Sequence, residues 1–347
     1  MNIISRARKN NLKTYILEVN MSKKKKAKIF SPRTDLALEA CERLDINEGS
    51  AVEGVMVKTR ENGGTIITSV EIINEEGARV CGKPIGKYIT VEDRALRTND
   101  PETKERIIEE TAISLKEFMK KYKPRKVLVA GLGNGSITPD ALGPKAAAGV
   151  IVTRHLKNTL PKTIRNKVSS VSAITPGVMG ITGIETAEVL SGTAERAKPD
   201  LIVVIDALAA GKFSRLNTVI QMTDGGISPG AGVGNKRAEI NKKTMGMPVI
   251  AIGVPTVVDA ATLVNDTMDR ILSEVNAAGA EAGVFNGLEP GERYALINEM
   301  LTPYAENMFV TPKEVDAVID RLALIISTAL NMALHPGLDR KDIELFV

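Results

Sequence analysis

The sequence predicts an α/β protein: a mixed, largely parallel sheet flanked by helices. Three observations carry that expectation. Short β-branched runs without alternation, such as Lys126-Val-Leu-Val-Ala130 and Leu201-Ile-Val-Val-Ile205, read as strands buried on both faces. These runs alternate with stretches of helical period, the order that parallel crossovers require. The runs lead into loops rich in Gly, Pro and polar residues, and open α/β sheets bind ligands beyond the carboxyl ends of such strands.

Taken in order, residues 1–30 show no sustained period, and the lysine run 23–26 reads as disordered. Leu36, Ala40 and Leu44 recur at helical steps, predicting a helix over 35–47. Residues 51–91 read as strands, with Gly63-Gly64 turning a hairpin between 55–57 and 65–68. Asp100 as a cap and Pro101 in the first turn open a helix that runs to Tyr122, before Pro124. A strand over 127–130 then leads to a helix starting at Thr138-Pro139 and continuing through 146–156. A strand over 168–174, a helix over 183–191 and a strand over 201–205 follow, then strands at 219–222 and 249–252. Thr311-Pro-Lys-Glu314 reads as a capping box for a last helix ending near Leu330.

The chain has 347 residues, enough for one large α/β domain, with ordinary apolar (43%) and charged (25%) fractions. Aromatics are scarce (3%, no Trp), which argues against a stacking platform for single-stranded nucleic acid. Two cysteines, Cys41 and Cys81, without a CxxC fit a reducing compartment. Cys81 reads as a buried structural residue. With only His155 and His335, both read as ordinary turn or helix-end residues and His335 as a surface one, a zinc site of the usual ligands is not expected. No run reads as a membrane span, and the N-terminus lacks a signal-peptide core, so a cytoplasmic location is expected. Residues 1–35 hold ten basic and two acidic groups, so the +4 of the whole chain leaves the remaining 312 residues at −4. The basic leader reads as a solvated tail; a nucleic-acid arm is the alternative.

Four loops carry the chemistry: 131–143, 175–186, 206–211 and 223–237. Asp140 lies in the first, and Asp206 closes the run 201–205. Each has a structural reading, as a complement to a helix N-terminus or as a cap. Two carboxylates at the active edge of one sheet also make an acid–base pair, in which one activates a water and the other protonates a leaving group. The glycines 225, 226, 230, 232 and 234 let backbone approach a ligand closely. No phosphate-loop pattern accompanies them, so the loop reads as a close-packed turn or an oxyanion-type site for a reacting carbonyl, with Gly230, Gly232, Gly234 and Asn235 as the substrate or oxyanion candidates. No GxSxG supports a hydrolase serine.

Together and in order, several segments resemble the germination protease family of spore-forming bacteria. They are Arg33-Thr-Asp-Leu-Ala-Leu-Glu-Ala40, Gly131-Leu-Gly-Asn134, Thr138-Pro-Asp-Ala-Leu-Gly-Pro144, Pro176-Gly-Val-Met-Gly-Ile-Thr-Gly-Ile-Glu-Thr186, Asp206-Ala-Leu-Ala-Ala210, Pro229-Gly-Ala-Gly-Val-Gly-Asn235 and Gly253-Val-Pro-Thr-Val-Val-Asp259. The resemblance implies an endopeptidase that degrades small acid-soluble spore proteins during germination. It implies a zymogen in the developing spore and a homotetramer; the residues themselves lead to the expectation of no cofactor or metal, no membrane and no direct nucleic-acid partner. It implies a fold similar to that of hydrogenase maturation proteases, a phosphorylase/hydrolase-like fold. The family is regarded as an atypical aspartic peptidase, and its two proposed catalytic aspartates fall on Asp140 and Asp206. Its autoprocessing bond falls on Asp35–Leu36, where an acidic residue, a bulky apolar one, Ala37 and nearby Glu39 imitate the sites cut in spore proteins. Residues 1–35 are then a pro-segment and 36–347 a single catalytic domain. Residues 1–20 look foreign to the family, so Met21 is a natural start. Two rival readings stand beside this one: a metal-dependent maturation peptidase with Asp140 and Asp206 as ligands, and a non-enzymatic spore DNA-associated protein using the basic leader.

Overall fold

The computed structural model describes residues 34–50, 52–98, 100–156, 159–165, 167–234, 237–277, 290–305 and 308–345. Most of the expected pro-segment, residues 1–33, and Asn235 of the glycine loop lie outside these residues. The strands are β1 (Val55–Asn62), β2 (Thr65–Ile72), β3 (Gly86–Glu92), β4 (Lys126–Gly131), β5 (Ser170–Ile174), β6 (Leu201–Ala210), β7 (Val219–Thr223), β8 (Val249–Asp259) and β9 (Phe309–Val310). The helices of five residues or more are α1 (Ala37–Glu42), α2 (Glu75–Cys81), α3 (Pro101–Tyr122), α4 (Leu142–Ala148), α5 (Thr186–Ala197), α6 (Ala260–Ala277), α7 (Pro290–Ala305), α8 (Val315–Leu334) and α9 (Arg340–Glu344). All nine strands join one sheet in the order β1-β2-β3-β7-β8-β6-β4-β5, with β9 added on β8. The sheet is mixed: β5-β4-β6-β8 is parallel, and the remaining pairs are antiparallel.

Alternation along the parallel strands divides the core in two. Val127, Val129, Val203 and Ile205 pack with Ile107 and Leu115 of α3, Leu142 of α4, and Ile319 and Ile326 of α8. Leu128, Ala130, Ile202 and Val204 face the other way, onto Leu190 and Ala194 of α5. The helix α3 begins as expected: the Asp100 carboxylate accepts from Thr103 N at 2.8 Å, and Pro101 takes the first position, where no N–H is missed. The β1–β2 hairpin turns at Gly63 and Gly64, both at positive φ (55° and 90°), as a two-residue turn matched to strand twist requires.

Several expectations are corrected. The region 51–91 is not all strand: Asn74 accepts from Gly77 N at 2.9 Å and caps α2, so Cys81 ends a helix. Cys81 is buried with its sulfur 3.8 Å from that of Cys41, and both are free thiols. The helix expected over 35–47 is confined to α1. The helix expected to continue to 156 stops at Ala148, and exposed His155 lies in a separate short turn, Arg154–Leu156. The strand read as 201–205 runs on to Ala210, replacing the loop expected at 206–211. The capping box at 311–314 does not form, because the Thr311 hydroxyl donates to Thr256 O at 3.2 Å and Glu314 caps without a side-chain bond. His335 is fully buried, with Nε2 3.0 Å from Ile151 O, rather than on the surface. Finally, α8 is long and apolar enough to cross a membrane, with a mean hydropathy of 1.6, but 72% of that window is buried against the rest of the protein.

That burial makes α8 the spine of the larger core. Ile326→Ala, at a site with no exposure, is expected to lower unfolding stability by roughly 2–4 kcal/mol, read as a shift of the urea midpoint.

Candidate active site

The register of the sheet sets where Asp206 emerges. β4 pairs with β6 up to Gly131↔Ile205, and Leu132 N closes that ladder on Ile205 O at 2.8 Å. β4 then departs into its loop, while β6 continues beside β8 through Asp206↔Gly253. Asp206 is thus the first β6 residue past the end of β4, at the crevice that a parallel sheet opens beyond its carboxyl ends. Its side chain is 5% exposed, and one oxygen accepts from Ala207 N at 3.0 Å. No helix starts there, so Asp206 caps nothing.

Asp140 comes from the loop after β4, in the short turn Thr138–Asp140. Its Oδ2 accepts from Asn134 N at 2.6 Å, so the loop grips its own carboxylate. Neither that turn nor α4 receives a side-chain cap, so Asp140 makes no capping hydrogen bond, although it is the acidic residue of the first turn. Asp140 and Asp206 line one cleft of about 720 Å³, walled also by Met179, Thr186 and Thr256.

A third carboxylate lines the same cleft: Asp35. Its Oδ2 accepts from Ala209 N at 2.9 Å, and Gly232 N adds a second backbone donor. Asp35 N donates back to Ala209 O at 3.2 Å, docking the chain along the end of β6. Only glycine fits at 232, since a Cβ there would lie 2.1 Å from Asp35 Oδ2. Lys83 sits behind this contact, its Nζ donating to Thr34 O at 3.0 Å and its charge favouring ionised Asp35. The next residue, Leu36, has no exposure and packs with Leu208, Val219 and Ile227. The Gln221 carboxamide reaches both sides of this step, with Nε2 donating to Asp35 O at 3.3 Å and Oε1 accepting from Ala37 N at 2.7 Å.

Beyond Leu36 the chain is anchored by charge. Glu39 is buried and accepts from Gly211 N at 2.7 Å. The Arg215 guanidinium pairs with Glu42 at 2.6 and 2.8 Å and with Glu92 at 3.2 Å. Such bidentate, half-buried pairs hold geometry more firmly than exposed ones. They tie α1 to β3 and to the segment after β6.

The cleft's electrostatics arise from burial and like charge. Burial, then the facing carboxylates of Asp140 and Asp35, hold Asp206 well above the ordinary carboxylate range. Burial also raises Asp140, against the pull of Asn134 N–H, and raises Asp35, against its two N–H donors and Lys83. Burial lowers Lys83, and Asp35 and Glu39 partly restore it. Of the expected glycine loop, Gly232 touches Asp35, Gly230 lines the cleft, and Gly234 ends a short turn outside it at φ 76°. The contact shown in this loop is that of Gly232 with the Asp35 carboxylate. Among the described residues no three His, Cys, Asp or Glu side chains are arranged to hold a metal ion. Lys83 and Gln221 escape a reading of the sequence because nothing local marks them; their partners lie 49 and more than 180 positions away.

The family described as germination protease matches residues 34–282 and 274–347. A germination protease of Caldanaerobacter subterraneus subsp. tengcongensis is 46% identical over 320 residues, covering 91% of this chain and 98% of the relative. Those of Clostridium tetani (45% over 322 residues, 92% and 100%) and Bacillus cereus (41% over 353 residues, 90% and 96%) are similar throughout. Among solved structures, a [NiFe] hydrogenase maturation protease, HycI from Thermococcus kodakarensis KOD1, is similar at 17% identity and a TM-score of 0.31, covering 62% of this chain and 98% of that one. That overlap is too low to carry an argument.

Unfolded, Asp206 ionises in the ordinary range; folded, its proton is held more tightly. Its ionisation therefore costs stability, a cost absent below the unfolded value and growing as pH rises toward the folded one. Asp206→Asn is expected to raise the thermal midpoint by about 2 °C or more at pH 8, with the gain fading toward about pH 4. A gain that is equal at both ends contradicts this electrostatic origin.

Proposed function

Because the chain belongs to the germination protease family, and is therefore an endopeptidase of spore germination, we propose that it is a zymogen that cuts itself at Asp35–Leu36. The processed enzyme then hydrolyses small acid-soluble spore proteins in the spore core, as a homotetramer. One observation carries the self-cleavage reading. Asp35 shares a cleft with Asp140 and Asp206, and the next residue fills an apolar pocket. An acidic residue before the cut and a bulky apolar one after it are the features expected of the substrate. The likeness to relatives called germination proteases supports the role in germination.

The chemistry assigned to the pair is acid–base catalysis through water. Asp140, the less buried of the two, takes a proton from a water whose oxygen bonds to the Asp35 carbonyl carbon. Asp206, held protonated by burial and by the facing carboxylates, gives its proton to the Leu36 nitrogen as the C–N bond breaks. The immediate products are a carboxylic acid at the main-chain carbonyl of Asp35 and a neutral amine at Leu36, with the pair's single proton now on Asp140 instead of Asp206. The new acid then passes its proton to the amine, leaving a carboxylate and an ammonium, so atoms and charge balance. On this reading the enzyme is of atypical aspartic type. Ordinary aspartic chemistry also places two carboxylates around one water and relies on their unequal proton affinities.

Asp140→Asn and Asp206→Asn, made separately in the full chain, are each expected to slow self-cleavage by about 10²-fold or more, read by the mass of the products over time. Either variant cleaving at the wild-type rate refutes that residue's role. Addition of a chelator is expected to leave the rate unchanged; a rate lost in chelator and restored by a divalent metal favours the metal-dependent alternative.

A further inference from the structure

We propose that Gln221 is the residue that holds the scissile peptide for attack, gripping the carbonyl before the cut and the N–H after it with one carboxamide. The proposal rests on the Asp35–Leu36 bond being the cleaved one. Gln221 Nε2 donates to the carbonyl oxygen of Asp35 at 3.3 Å, and Oε1 accepts from Ala37 N at 2.7 Å. The bond between Asp35 and Leu36 is therefore flanked by the two contacts of a single amide side chain. The Leu36 N–H is itself turned back onto the Thr34 hydroxyl at 3.0 Å.

The carboxamide is placed by the most constrained part of the fold. Gln221 is the central residue of β7, paired with Thr90 of β3 on one side and Gly253 of β8 on the other. It is 6% exposed. A donor fixed on an interior strand keeps its direction as charge develops on the carbonyl oxygen, which is the condition for stabilising an oxyanion without reorganisation.

A simpler role is available for half of this geometry. Ala37 is the first residue of α1, whose preceding residue, Leu36, offers no side-chain cap. The Oε1 contact alone would make Gln221 a helix cap supplied from afar. A cap needs only an acceptor and leaves Nε2 without a task. The second contact, onto the very carbonyl that the proposed chemistry attacks, is what a cap does not explain.

The two roles separate in Gln221→Glu. A glutamate keeps the acceptor for Ala37 N–H and loses the donor to Asp35 O while it is ionised; protonated, it regains an O–H donor. Self-cleavage of the full chain is followed by product mass across a pH series for wild type, Q221A and Q221E, with thermal midpoints as a check on folding. If Gln221 holds the carbonyl, Q221A is slower by about 10- to 100-fold. Q221E is as slow near neutral pH, and its rate relative to wild type climbs as pH falls. If Gln221 is only a cap, Q221E cleaves at the wild-type rate at every pH, and the proposal is overturned. A Q221E-to-wild-type ratio that stays flat with pH also overturns it, and Q221E alone decides the matter if Q221A does not fold. Wild-type chain that never cuts at Asp35–Leu36 defeats the underlying reading of the cleavage site, and this proposal with it.

Discussion

Three carboxylates share one poorly solvated cleft, and the rest of the site is arranged around the cost of keeping them there. A buried carboxylate repels its neighbours and is short of water, so each must be held by donors or keep its proton. Asp35 is held by two backbone N–H groups and Lys83, and Asp140 by the N–H of Asn134. Among the described residues Asp206 has only its neighbour's N–H and no cation, so it is the member driven hardest toward the protonated form. The proposed division of the pair into an acid and a base rests on this inequality.

The same constraint explains the architecture nearby. β6 must extend past β4 for Asp206 to face open space, and it is supported there by β8 alone on its parallel side. Past Leu208 the ladder shifts register, and the N–H of Ala209 turns to Asp35. The glycine at 232 lets a second backbone N–H approach the Asp35 carboxylate. Beyond Leu36, the Arg215–Glu42–Glu92 cluster and the Glu39 contact fasten α1, so the Asp35–Leu36 step is held from both sides. If this is the bond that is cut, as proposed, a peptide fixed on both sides needs little further ordering before reaction.

Much of this site is legible in the sequence. Asp140 and Asp206 stand out because unbroken β-branched runs precede them, and a strand's carboxyl end is where such sheets open. The sequence places Asp206 correctly for an incomplete reason: the strand does not end there, its partner does. The helix from Pro101 and the Gly63-Gly64 turn are legible because their signals are local and complete. Local signals also mislead. Thr311 and Glu314 have capping-box spacing, yet Thr311 is drawn to the Thr256 carbonyl by the packing of β8. Residues 75–81 sit among strand-like neighbours, and Asn74 starts a helix there by capping it. Lys83 and Gln221 act on Thr34, Asp35 and Ala37 across the fold, and no spacing in the chain announces such contacts.

The intact mass and N-terminal sequence of the wild-type chain after incubation test most directly whether the cleft holds its own cleavage site. A product beginning at Leu36, followed by Ala37 and Leu38, is the predicted result. A chain that stays whole, or whose first cut lies at another bond, contradicts it.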